Sequence, residues 1–367
     1  KYMSNNKLHA IGIMSGTSLD GIDVSYVSSD GKSIFTHNCS SLFKFRDSTR
    51  KSLHNLVNNF TKNKNSISNI SDCENLVSED YVNAIRKFII SKNIKKVDLI
   101  ALHGQTIYHS SKNKSSIQLC NSSYIAEKTN SIIVTDFRQD DLLNGGEGAP
   151  LVPIFHKLLI NKLKLKKPSS FINIGGISNI SMLDKRGRLT AHDIGPGMCL
   201  LDQYVNFKKK QPYDNNGAYS SRGKINKSIL RQLLNDNFFK KSPPKSLDRN
   251  YFSFNSVLKI NFYDACATLS AFTAYAIINN LKKIDNQKII LSGGGVKNKF
   301  ILNLIKENLG NRVISIDEIY GDSKFIESQA FAYLGIRRVK NLPISFPGTT
   351  GVKNPITGGK ITKLSIF

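Results

Sequence analysis

No apolar run in the 367-residue sequence approaches the roughly 18 residues of a membrane span, so a transmembrane anchor is not expected. Lys1-Tyr-Met-Ser-Asn-Asn-Lys7 leads straight into a short apolar strand pattern without the longer apolar core of a signal peptide. Cysteine is confined to Cys39, Cys73, Cys120, Cys199 and Cys266, an odd and widely spaced set with no C-x-x-C pair and no histidine at zinc-ligand spacing. That excludes a disulfide framework and a structural zinc, and it points to a reducing, cytoplasmic setting. Acidic residues are few, 27 against 52 Lys+Arg, which leaves a net charge of +25. Such a surplus suits a nucleic-acid or anionic-membrane binder. Arginine, however, is scarce, 12 residues against 40 lysines, and arginine is the side chain that reads bases and phosphates bidentately. The lysines are scattered among Asn, Ser and Ile, so the charge reads as a compositional bias on solvated faces, with neither a specific nucleic acid nor a membrane as partner.

What is present is core material. Apolar residues make up 40% of the chain, with 20 Phe and 13 Tyr, too much for a disordered polyelectrolyte, and the length suggests two domains. The run His9-Ala-Ile-Gly-Ile-Met14, a Gly/Ser/Thr turn and Ile22-Asp-Val-Ser-Tyr-Val27 predict a hairpin. A second hairpin of the same design follows half a chain later, Ser170 to Ile174, Gly175-Gly176, then Ile177 to Leu183. Buried-strand runs ending in glycine turns also recur, Val97 to Leu102 before His103-Gly104, and Lys288 to Leu291 before Ser292-Gly-Gly-Gly295. Helical periodicity marks Val82–Ile90, Asp264–Leu281, Asn298–Leu309 with a stop at Gly310, and Ile326–Val339, while Pro150–Leu165 reads as a helix crossing between halves. Lys62–Asn75, rich in Asn, Ser and Lys, reads as the softest stretch. The expected architecture is α/β with two similar lobes: residues 1–165 joined by the tail 341–367, and residues 166–340.

Three turns carry chemistry. Gly16-Thr17-Ser18 with Asp20 offers backbone N–H groups and hydroxyls to an oxyanion, as a phosphate cradle requires. It lacks the Gly-x-x-x-x-Gly-Lys-Ser/Thr pattern of a Walker A loop, and a plain Ser/Gly turn is the competing explanation. Asp193 stands at a strand end before Gly195-Pro-Gly197, placed to take a proton or orient Mg²⁺, or merely to cap the helix near Cys199. Gly293-Gly294-Gly295 lets a flat base or ribose approach the backbone. In this order on two similar lobes, the turns describe a nucleotide cleft.

The order resembles the actin, heat-shock ATPase and sugar kinase superfamily, with its ribonuclease H-like lobes. Longer strings resemble the anhydro-N-acetylmuramic acid kinase family more closely: Met14-Ser-Gly-Thr-Ser-Leu-Asp-Gly-Ile-Asp23, His103-Gly-Gln-Thr106, Asp136-Phe-Arg138, Gly145-Gly-Glu-Gly-Ala-Pro-Leu-Val-Pro153, Asn173-Ile-Gly-Gly-Ile-Ser-Asn179, Asp193-Ile-Gly-Pro-Gly197 and Ser292-Gly-Gly-Gly-Val-Lys-Asn298. Tyr213-Asp with Gly217, Pro243-Pro-Lys-Ser246 and Glu327-Ser-Gln-Ala-Phe-Ala332 extend the match over nearly the whole chain. The resemblance implies an ATP- and Mg²⁺-dependent enzyme of cell-wall recycling, in which water opens a 1,6-anhydro sugar and the freed O6 takes the γ-phosphate. It implies Asp193 as general base and Gly16, Thr17, Ser18 and Asp20 around the phosphates, with Asp20 toward Mg²⁺. Gly175, Gly176, Gly195, Gly197, Gly293, Gly294 and Gly295 would line the nucleotide site.

His103, Gln105, Arg138, Asp140 and Glu327 fall on the sugar side. Arg138 either meets the sugar's lactyl carboxylate, guides the transferred charge, or forms a structural salt bridge with Asp140 or Asp141. Glu327 either meets hydroxyls or serves the dipole of its helix, and His103 either meets the sugar or only a backbone group. Three positions depart from the family's habit, Ile194 for Thr, Met198 for Asn and Glu147 for Gln, and the first two remove polar groups beside Asp193. A kinase of another sugar is the nearest alternative and a nucleic-acid-binding protein the distant one; a homodimer is an assembly this identity allows.

Overall fold

Strand β1 (Leu8–Met14) and strand β2 (Ile22–Ser29) pair antiparallel from Leu8 opposite Ser29 to Met14 opposite Asp23, as the two apolar runs predict. Strand β3 (Phe35–Phe43) extends the meander along β2. The run Leu99–Leu102, buried at all four positions, forms β4 and joins β1 in parallel, which a hairpin cannot do; helices Asp47–Phe60 and Ile67–Ser91 supply the crossover. Strands β5 (Gln105–Ser110) and β6 (Ser115–Leu119) make a separate ribbon, and β7 (Ile133–Thr135) adds parallel to β4.

The second half repeats the plan. Strands β8 (Ser169–Ile174), β9 (Ile177–Leu183) and β10 (Leu189–Pro196) form the antiparallel meander, and β11 (Lys288–Ser292) and β12 (Val313–Ser315) add in parallel. Their spatial orders, β3-β2-β1-β4-β7 and β10-β9-β8-β11-β12, are the same order counted within each half. The protein is therefore α/β with two lobes of the ribonuclease H-like, actin-like ATPase type.

The structure is a computed structural model that describes residues 7–16, 21–60, 67–248, 251–282, 288–321 and 323–363. The chain forms two units, Lys1–Leu158 with Phe325–Phe367, and Leu159–Lys324. The expected boundaries differ in one consequential element: helix Ile326–Val339, placed by sequence order in the C-terminal lobe, belongs to the first unit. Gly12 is the physical reason. A Cβ there would stand 2.0 Å from the Ser328 carbonyl oxygen, so the bare backbone of β1 lets the helix lie directly on the sheet, and Ser25 Oγ bonds Ser328 Oγ at 2.6 Å. The tail returns to the first unit as expected, and its strand β13 (Lys360–Thr362) pairs antiparallel with β7.

In the second unit, helix Phe262–Leu281 is buried almost all round because it separates two apolar clusters. Ile277, Ile278 and Leu281 enter one with Ile172 and Leu291, while Leu269 and Phe272 enter the other with Tyr204 and Phe238. Helix Lys299–Leu309 starts at Asn298, whose side chain caps it, and stops at Gly310 with φ 63°, as predicted. Helix Ile67–Ser91 is a correction, since much of the stretch expected to be soft is helical. Cys73, Val77, Tyr81, Ile85 and Phe88 recur at three- and four-residue spacing and are all buried, so packing of that stripe overrides the poor propensity of the surrounding Asn and Ser. Residues 62–66 of the same stretch lie outside those described.

Candidate functional site

In the first unit, β4 ends at Leu102, and the next residue bonds back to β1, His103 N–H to the Ile13 carbonyl at 3.1 Å. The buried imidazole of His103 meets Gly104 O through Nδ1 at 2.8 Å, and its Nε2 faces Arg138 Nε at 3.0 Å and Nη2 at 2.8 Å. A guanidinium only donates, so Nε2 accepts and Nδ1 carries the proton. Burial, then the Arg138 charge, holds the His103 pKa well below its ordinary value, and the ring is neutral. His103 thus bonds a backbone carbonyl, one of its two expected roles, and holds the arginine as well, which neither role foresaw.

Arg138 gives its remaining bond, from Nη1, to the Gly148 carbonyl at 2.7 Å. Burial pulls its pKa down to about 10, while Glu327 and then Asp141 hold it up, so it stays cationic near neutrality. The expected salt bridge with Asp140 or Asp141 does not form among the described residues. Arg138 is held by neutral acceptors, and with three of its five N–H groups engaged, two remain for an anion. Glu327, half-buried in the first turn of its helix, combines dipole placement with charge coupling to Arg138. Phe331 of that helix packs on His103, ring centroids 4.7 Å apart. Gln105 is fully buried; its Nε2 donates to Gly16 O at 3.3 Å, joining the glycine turn to the His103 loop, and its Oε1 has no partner among the described residues. Asp140 stands apart from these residues. It is exposed, and its carboxylate accepts the Gly359 N–H at 3.2 Å, tying down the returning tail. Thr17, Ser18 and Asp20 lie outside the described residues.

In the second unit, Asp193 sits at a bulge in β10, where the register shifts between Asp193 and Gly195. Its backbone N–H bonds Lys245 O at 3.0 Å and its Oδ2 accepts the Leu247 N–H at 2.8 Å, so the segment after Pro243-Pro244 fixes the carboxylate. Met198, not Asp193, holds the N-cap of helix Cys199–Lys209. The glycine turns interlock: Gly176 O receives Gly197 N–H at 3.0 Å and Gly175 O receives Met198 N–H at 2.8 Å. Protein packing accounts for several bare positions, because a Cβ would lie 2.0 Å from Gly175 O at Gly197, 2.6 Å from Ala276 Cβ at Gly195, 2.3 Å from Asn173 Oδ1 at Gly293 and 2.2 Å from Ile174 Cγ2 at Gly295. Gly294 differs. It is exposed, and a Cβ there would meet nothing within 4 Å.

Thr350 and His109 escaped the sequence reading, and Asp141 entered it only as a salt-bridge partner for Arg138. Asp141 is buried and bonds the Gly148 N–H and the Thr350 hydroxyl; only its burial distinguishes it from Asp140 beside it. His109 bonds Ser116 Oγ at 2.9 Å, and burial followed by the Arg138 charge lowers its pKa to about 4.

A family model for anhydro-N-acetylmuramic acid kinase matches residues 8–363. The chain belongs to that family. A curated anhydro-N-acetylmuramic acid kinase from Pelagibacter ubique is 38% identical over 369 residues, covering 96% of this chain and 98% of the relative, and one from Methylorubrum populi is 35% identical with the same coverage. Against the habits of the anhydro-N-acetylmuramic acid kinase family, Ile194 is fully buried in the apolar cluster with Ile172 and Ile174, and Met198 packs against both clusters of its unit. Among the described residues no helix is long and apolar enough to cross a membrane, and no cluster of three His, Cys, Asp or Glu side chains could hold a metal ion.

Burial lowers His156 to about 3 and His192 to about 4 as well. These rings protonate in the unfolded chain near pH 6.5 but not in the folded one, so their contribution is intact above that pH and is lost as pH falls toward the folded values. For His156, which is almost fully buried, the loss is on the order of 4 kcal/mol by pH 3. A Tm–pH series should therefore fall steeply from pH 7 to pH 4, and His156→Leu should flatten it; an unchanged slope would contradict the assignment.

Proposed function

We propose that the protein phosphorylates 1,6-anhydro-N-acetylmuramic acid with ATP, opening the anhydro ring in the same reaction, as an enzyme of peptidoglycan recycling. Family membership over 8–363 supports the activity. The observation that carries the substrate is Arg138: a partly buried cation bonded, among the described residues, only to neutral groups, with two N–H left over, suits a carboxylate such as the lactyl group of muramic acid. Asp193 takes the proton of a water as its oxygen bonds C1; the C1–O6 bond breaks, and O6 attacks the γ-phosphorus with ADP leaving. Holding water, sugar and phosphoryl group in place supplies much of the acceleration.

Gly16 supports the phosphate turn, and Gly175, Gly176 and Gly294 give backbone to the nucleotide. Mg²⁺ is assigned to Asp20 on the resemblance alone; bound to ATP phosphates it needs only one or two carboxylates. Incubating the protein with ATP, Mg²⁺ and the anhydro sugar should yield N-acetylmuramic acid 6-phosphate by mass spectrometry. Phosphorylation of other sugars but not this one would refute the assignment. Gly294→Leu, on an open backbone, should raise KM for ATP tenfold or more, equivalent to roughly 1.4 kcal/mol, while Tm and the sugar KM hold. An unaltered KM for ATP would remove this turn from the nucleotide site.

A further inference from the structure

We infer that Asp141, held by Thr350 of the returning tail, is a positioning residue that aims Arg138 at the substrate carboxylate. The inference rests on the proposed role of Arg138 and extends it.

The Gly145–Gly148 loop has little stiffness of its own, with left-handed φ of 85° at Gly145 and 69° at Gly148. Asp141 supplies the missing constraint from beneath. Its Oδ1 accepts the Gly148 N–H at 2.7 Å, its Oδ2 accepts the Thr350 hydroxyl at 2.6 Å, and its own carbonyl accepts the Gly146 N–H at 2.9 Å. Gly146 has no side chain because a Cβ would lie 2.1 Å from Asp141 Oδ1. The carbonyl of Gly148, one Cα away from the N–H that Asp141 grips, is the acceptor for Arg138 Nη1. Asp141 is 1% exposed and bonds only neutral donors, so its charge is not cancelled locally, and a buried carboxylate in that state is costly without a cation in reach. Arg138 is that cation, and it feels the Asp141 charge. A direct ion pair would have occupied the guanidinium N–H groups. Acting through Gly148, Asp141 balances the charge and fixes the direction of Arg138 while leaving two N–H groups for a ligand.

The test compares the anhydro sugar with its neutral lactyl amide. Asp141→Asn, close to isosteric, should raise KM for the acid about tenfold or more, leave KM for ATP unchanged, and shrink the preference for acid over amide. Thr350→Val should do the same more weakly, with Thr350→Ser restoring the preference, which guards against a simple folding defect. Equal losses on acid and amide, or an unchanged preference in Asp141→Asn, would overturn the role of Asp141. Arg138→Lys separates the two levels: if it too keeps the wild-type preference, the assignment of Arg138 to the carboxylate fails, and the inference with it.

Discussion

Asp193→Asn should lower kcat by about 10³-fold or more while ATP still binds with near-native affinity. The amide is the same size as the carboxylate, and its oxygen can still accept the Leu247 N–H that fixes Oδ2 at 2.8 Å. Ile194, the next residue, is buried in the apolar cluster and anchors the strand whichever group stands at 193. The variant should therefore fold with a Tm close to the parent's. What it loses is the ability to take a proton, because an amide is not a base near neutral pH. If ring opening needs that proton transfer, neither the sugar alcohol nor its phosphate should form. Turnover near the parent's would eliminate Asp193 as general base, whereas a parallel loss of ATP binding would show that the residue shapes the nucleotide site instead.

Gly12→Ala should destabilise the first unit by about 3 kcal/mol or more, one of the largest effects for a single methyl group. Its Cβ would fall 2.0 Å from Ser328 O and 2.5 Å from Ala332 N, and backbone atoms cannot swing aside as a flexible side chain can. Helix Ile326–Val339 must lift, taking with it the Ser328 hydroxyl bonded to Ser25, Phe331 against His103, and Glu327 coupled to Arg138. Urea unfolding measures the first consequence, and the sugar KM of whatever remains folded, expected to rise, measures the second. A loss of less than about 1 kcal/mol would mean that the helix is not seated on β1 as closely as the structure has it.

Much of the site was legible because its parts are short strings with their own geometry. Gly175-Gly176 and Gly293-Gly-Gly295 each follow a strand, Gly195-Pro-Gly197 straddles the end of one, and a strand that ends in glycine declares a turn whatever the rest of the chain does. The helix ending at Gly310 was legible for the same reason. The helix through Cys73 and Val77 was less so, since its apolar stripe is diluted by Asn, Ser and Asp that favour caps and turns, and only packing decides in its favour. Asp140 and Asp141 are indistinguishable as letters. One holds the tail in solvent and the other is sealed beneath the Gly148 loop, a difference set by Thr350, 209 positions further on.

Sequence by itself determined the two repeated hairpins, the α/β class, the family, and the identity of the groups able to carry charge or protons. These follow from local periodicity, turn chemistry and side-chain type, which neighbours in the chain suffice to express. Tertiary structure alone decided that the penultimate helix belongs to the first unit, that a neutral His103 and not a carboxylate holds Arg138, and that Ile194 is core. Each depends on which side of an element is covered and how closely two backbones approach, and those contacts join residues 35 to 303 positions apart, beyond the reach of any local pattern.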